Sequence, residues 1–355
     1  METNWIKWVV VAVAGLLILH PNRMLAQSKE ARAFFEESLV VDGLSFPFYR
    51  PGTTLHRFYR DSDGKFDMGE YRYSTGVDVV VWDIRSPREM SKMARAVEIG
   101  DFINVKVIRS FADVDAVHRD KQLGWLFYTQ VPWPLQATTK PIEGWYREGL
   151  RMLLLTYGSR MPPAVGDELG SGCYDDDSAT GGLTKLGREV IAECNRLGII
   201  VDVSHCSRQT TLEAAQLSDA PITSSHSGCE AVTPHRRNKS DEEIRAIAKS
   251  GGIIGITPIK FMLTDSEDSG ASMDDFVFHL EHAIKVAGID HVGIASDIKR
   301  NGVPETELTA FTCPELNSQE RWLHLYDALK AKGHFDEDLA KVFGGNYRRI
   351  FQEVL

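Results

Sequence analysis

Residues 183–205 read LTKLGREVIAECNRLGIIVDVSH, and two periodicities follow one another inside them. Over 183–198 the apolar residues recur at helical spacing. From Ile199 the run IIVDVSH is continuous, β-branched and short, which suits a strand buried on both faces. Working outward, the same alternation repeats. Upstream lie the apolar runs LVVDG (39–43), VDVVVWDI (77–84), GWLFYTQ (124–130) and MLLLTYG (152–158); downstream lie PITSSHS (221–227), GIIGITPI (252–259) and HVGIASD (291–297). Between two of these, SDEEIRAIAKSGG (240–252) opens on a capping box, Ser240 with Glu243, and ends on paired glycines, so a helix is expected there. Eight strand–helix units in succession predict an α/β chain folded as a closed (β/α)8 TIM barrel. The alternative, an open doubly wound sheet, lacks a Gly-rich GxGxxG turn to support it.

Length and composition agree with one large barrel plus extensions. The chain has 355 residues, 43% hydrophobic and 25% charged, with 40 Lys and Arg against 50 Asp and Glu for a net charge of -10. An acidic chain without a basic stretch is a poor partner for nucleic acid, whose phosphates need clustered Lys and Arg. Five cysteines (Cys173, Cys194, Cys206, Cys229, Cys313) form no CxxC pair, and their odd number argues against a disulfide scaffold. At the N-terminus Lys7 precedes an apolar run from Trp8 to Leu19, followed by polar HPNR and Met24-Leu25-Ala26. That pattern reads as a secretory signal peptide over 1–26, too short for a spanning helix, with an uncleaved membrane anchor as the alternative. A single exported barrel over 27–355 is expected, periplasmic or secreted. The segments DDD (175–177) and SEDSGAS (266–272) read as solvated loops.

In such a barrel chemistry sits at the C-terminal ends of the strands. Those ends place Leu44 and Phe46 after the first, Gln130 after the third, Tyr157 after the fourth, His205 after the fifth, His226 after the sixth and Asp297 after the eighth. Two histidines and an aspartate at one end of a barrel describe a metal or acid/base centre. Spacing alone takes the reading no further.

At these residues the chain resembles the membrane (renal) dipeptidase family, a branch of the amidohydrolase-like metal-dependent barrels. The resemblance rests on GGLTKLGREVIAECNRLGIIVDVSH (181–205), APITSSHSGCEAVTPHRRNKSDEEIRAIAKSGGIIGI (220–256), GIDHVGIASD (288–297), VFGGNYRRIFQEVL (342–355) and VVDG (40–43). It implies two zinc ions joined by a bridging glutamate and hydroxide, one ion held by a His-x-Asp after the first strand and the other by two histidines. Carried onto this sequence, the second-metal histidines are His205 and His226. The proton-handling carboxylate is Asp297, and the substrate carboxylate is bound by Arg237 in the pair Arg237-Asn238. The other half departs. Asp-Gly-His-x-Asp stands here as Asp42-Gly43-Leu44-Ser45-Phe46, the bridging glutamate aligns with Gln130, and a substrate-contacting histidine becomes Tyr157. His56, in the polar stretch HRFYRDSDG, offers no replacement ligand.

Leu44 and Phe46 have no lone pairs, so a first metal site cannot form with them, and Gln130 brings an amide oxygen without charge. Three readings follow. One is a hydrolase of a dipeptide or related small amide with one zinc instead of two, held by His205, His226 and Asp297, with Gln130 a marginal ligand. The second is an inactive dipeptidase-fold protein that binds a small carboxylated ligand or a partner protein. The third is a metal-free acid/base catalyst. Cys206 beside His205 is a weaker ligand candidate, because neighbouring side chains on a strand point apart. A homodimer is expected from the resemblance alone.

Overall fold

Alternating apolar runs and amphipathic helices fold in the computed structural model into eight parallel strands. The structure describes residues 29–46, 65–130, 135, 138–158, 169–175, 181–266, 270–298 and 313–355. The leader expected over 1–26 and His56 lie outside them. The barrel strands are β1 (Val41–Ser45), β2 (Val79–Asp83), β3 (Leu123–Thr129), β4 (Leu150–Leu154), β5 (Ile200–Asp202), β6 (Ile222–Ser227), β7 (Ile253–Ile256) and β8 (Val292–Ile294). They pair in that order, each parallel to the next. Each coincides with one of the eight apolar runs. Past the strand ends, β8 meets β1 through Asp297 N–H to the Leu44 carbonyl at 2.8 Å and Phe46 N–H to the Ile298 carbonyl at 3.4 Å.

Every residue of these strands is buried, as expected of a sheet with helices outside and side chains filling the inside. The helix Lys185–Leu197 is capped by Thr184, whose hydroxyl accepts from Gly187 N–H, and ends at Gly198 with φ 78°. The helix Asp241–Lys249 carries the expected capping box of Ser240 and Glu243. Two features escape the pattern. A three-residue strand, Val105–Val107, pairs with the first residues of β3, and Phe66–Asp67 pairs with Phe102–Ile103. Runs this short carry no period to read.

The C-terminal segment enters the barrel wall. Tyr347, on the helix Asn346–Val354, lies against Gly43 of β1, Gly255 of β7 and Gly293 of β8. A Cβ on Gly43 would sit 1.8 Å from its hydroxyl oxygen, so only glycine fits there. Asn346 holds the helix in place, its amide donating to the carbonyls of Ile289 and Val292, both at 2.8 Å. Among the described residues no helix is long and apolar enough to cross a membrane.

Candidate metal and substrate site

The ends of β5 and β6 bring His205 and His226 together, with their Nε2 atoms 3.0 Å apart. Hydrogen bonds on the far side of each ring decide which nitrogen carries the proton. His205 Nδ1 lies 3.1 Å from the Tyr157 carbonyl, which can only accept, so Nδ1 is the protonated nitrogen. His226 Nδ1 lies 2.7 Å from Ser225 Oγ. That hydroxyl donates to Asp202 Oδ2 at 2.7 Å and therefore accepts from His226 Nδ1–H. Both Nε2 atoms then present lone pairs to each other.

Asp202 is the hub of this arrangement. Its carboxylate also receives the hydroxyls of Tyr128 and Ser204 and the backbone N–H of Ser225. Burial holds both imidazoles well below the ordinary histidine range, and the Arg237 guanidinium pushes in the same direction. They are neutral imidazoles at neutral pH, each protonated on Nδ1 alone. His205 is further covered by Tyr157, whose ring stacks on it at 4.4 Å and 17°.

Two bare lone pairs at 3.0 Å repel unless a cation lies between them. The donor chemistry therefore fits a metal, and each histidine is oriented through its other nitrogen in the way metal-ligating histidines are. Among the described residues no three His, Cys, Asp or Glu side chains converge on such a point, so Asp297 does not complete a ligand set with the imidazoles. Gln130 does stand beside them, with its Nε2 3.4 Å from His226 Nε2. Exchange of its amide O and N, which are assigned by hydrogen bonding alone, turns the oxygen to the same point.

The other expected residues are placed as follows. Leu44 and Phe46 belong to the apolar core, at 0% and 8% exposure. Arg237 is buried, and its guanidinium donates to the carbonyls of Ser204 and His226. Asn238 gives its amide hydrogens to the Thr233 and Met262 carbonyls, both at 2.8 Å, and so braces the loop that carries Arg237. Asp297 is half-buried in the left-handed region at φ 47°, a conformation uncommon outside glycine and found at functional positions. Its charge adds to burial in raising the Tyr157 phenol above the usual range. The Cys206 thiol meets the Thr156 hydroxyl at 3.4 Å. Asp202, Ser225 and Asp83 were not singled out in the sequence. The signal was there for two of them: an aspartate within an otherwise apolar run, in IIVDVSH and in VDVVVWDI.

Comparison with known proteins identifies the fold and the family. An uncharacterised dipeptidase of Schizosaccharomyces pombe is 34% identical over 164 residues, 46% of this chain but only 38% of that protein. An uncharacterised Klebsiella pneumoniae protein of the pqqA 5′ region is 26% identical over 70% of this chain and 89% of its own length. Among solved structures, the probable dipeptidase PvdM from Pseudomonas aeruginosa superposes with a TM-score of 0.77 at 22% identity, covering 93% of this chain and 98% of that one. A metallo peptidase from Rhodobacter sphaeroides, liganded with a phosphinate mimic of the dipeptide L-Ala-D-Ala, gives 0.70 at 23% identity over 90% and 100%. These two likenesses establish the barrel. The model of the membrane dipeptidase family, peptidase family M19, matches residues 73–355, which include every barrel strand except β1. The family is one of metal-dependent dipeptidases, and this chain belongs to it.

Proposed function

We propose that this protein is an exported dipeptidase-like hydrolase that uses one zinc ion, held by His205 Nε2, His226 Nε2 and the amide oxygen of Gln130, and acts on a dipeptide or related small amide. The observation that carries this reading is the pair of neutral imidazoles whose lone pairs face each other at 3.0 Å. Held by those residues, zinc would supply Lewis-acid polarisation of the scissile carbonyl and make a water more acidic. The chain's own residues do the rest. Asp297 takes a proton from the attacking water and returns it to the leaving amine. Its position is fixed by the hydrogen bond from its backbone to Leu44. Arg237, which adds to burial in keeping the imidazoles neutral, offers its remaining N–H groups to the substrate's terminal carboxylate. Tyr157 closes the pocket over His205. Residues 1–26 act as the export leader, and in a Gram-negative host the product is periplasmic.

A second reading has one observation in its favour: the positions of the first metal's ligands are occupied by Leu44 and Phe46, packed into the core. It makes the barrel a binding protein for a small carboxylated ligand. Metal content decides between them. The protein over 27–355, purified without a His tag and equilibrated with zinc, is expected to hold about one ion per chain. Replacing His226 with Ala should abolish binding and any dipeptide hydrolysis together. A metal-free protein after equilibration overturns the hydrolase reading.

A further inference from the structure

A second arginine is linked to the same site through Asp83. Just past the end of β2, Ile84 N–H donates to the Tyr128 carbonyl at 2.8 Å. Trp82 packs edge-on against Trp125 and Phe127. Asp83 is in register with Tyr128, whose hydroxyl reaches Asp202 inside the barrel. Register with Tyr128 puts Asp83 on the inner side, and Arg85 follows two residues on, past the C-terminal end of β2. Asp83 Oδ1 accepts the backbone N–H of Gln130 at 2.9 Å, and its Oδ2 lies 3.5 Å from Arg85 Nε. A fully buried carboxylate thus ties Arg85 to the residue beside His226, while the Arg85 side chain remains 57% exposed. The Arg85 charge is also felt at the Tyr157 phenol, on the other side of the imidazoles.

We propose that Arg85 is a specificity-determining residue that recognises a second carboxylate, so that dipeptides with an acidic side chain are preferred over neutral ones. The substrate class rests on the dipeptidase-like reading above. Under that reading Arg237, only 4% exposed and bonded to two carbonyls, serves the main-chain carboxylate. Arg85 stands on a different strand end. Asp83 restrains it by one contact through Nε, and its outer N–H groups can fork onto a carboxylate oxygen pair. An acidic side chain is the substrate feature that supplies such a pair at a second point.

Titration calorimetry with Gly-Asp and Gly-Asn, which are nearly isosteric, tests this on the zinc-equilibrated and the chelator-treated protein. Gly-Asp should bind about tenfold more tightly, with the ratio shrinking as salt is raised. In Arg85→Gln the ratio should fall to about one, and Arg85→Lys should restore part of it. Equal binding of the two dipeptides, or a preference that survives Arg85→Gln, overturns the proposal. An Arg85-dependent preference without turnover keeps it and defeats the hydrolase reading. Turnover without the preference does the reverse, and binding of neither dipeptide defeats both.

Discussion

Ser225 Oγ receives the Nδ1–H of His226 at 2.7 Å and sends its own proton to Asp202 at 2.7 Å. That relay leaves His226 Nε2 bare, so the value of the histidine as a ligand depends on a side chain that touches no metal. Replacing such an orienting partner commonly weakens metal affinity about 10–100-fold. Ser225→Ala should therefore lower zinc affinity by that order in a competition titration against a chelator, with the fold retained by circular dichroism. Unchanged affinity would mean that His226 finds its tautomer without the serine. A single sequence shows His205 and His226 as candidates because histidine is conspicuous at a strand end. It does not show the relay, because serine and aspartate acquire that role only through neighbours on β3 and β5.

The element that presents Arg237 is the loop between β6 and the helix Asp241–Lys249. Four buried contacts fasten it. Asn238 bonds to Thr233 and Met262, His279 Nδ1 accepts the Cys229 N–H at 2.8 Å, and Lys239 pairs with Glu243 at 3.1 Å. Lys239 and Glu243 side chains are 2% and 4% exposed. Removing the charge of one partner strands the other in the interior, so Glu243→Gln should cost about 3–5 kcal/mol in urea unfolding. A loss below about 1 kcal/mol, the range of an exposed pair, would contradict that placement. His279 makes the same region sensitive to acid. Burial pushes its pKa down to about 4 from 6.5, so the folded state keeps it neutral while the unfolded chain takes up a proton. Stability should be unaffected above about pH 6.5 and decline as the pH falls toward 4, by about 3 kcal/mol over the window. His205 and His226, also held low, act in the same direction. Urea midpoints measured from pH 7.5 to 4.5 should fall less steeply in His279→Gln than in the parent; equal slopes would remove His279 from the account.

Across the whole molecule, the barrel wall is closed against a residue from its far end. Tyr347 fits because Gly43, Gly255 and Gly293 leave room for its ring. Gly43→Ala would force a methyl to within 1.8 Å of the hydroxyl and 2.6 Å of the carbon bearing it. Overpacking of this kind costs about 1–3 kcal/mol. Tyr347→Phe removes the nearer atom, so the double variant should be more stable than the sum of the two single losses predicts, a coupling measurable by a double-mutant cycle. Strict additivity would show that the two residues do not compete for that space.

The sequence by itself determined the number, order and type of the barrel strands, because each is a continuous apolar run whose burial is a local property of composition. It also determined which residues end those strands, since that follows from chain order alone. The resemblance at 181–205 and 220–256 carried the family. Tertiary structure decided what those end residues can do. Gln130 and His226 are 96 positions apart yet meet at 3.4 Å, and Asp83 reaches Gln130 across 47. Such distances depend on strand register, which no stretch of sequence contains. The same holds for Asn238, next to Arg237 in the chain: its amide hydrogens go to the carbonyls of Thr233 and Met262, because a buried loop must pair its polar groups, and those partners are set by the fold.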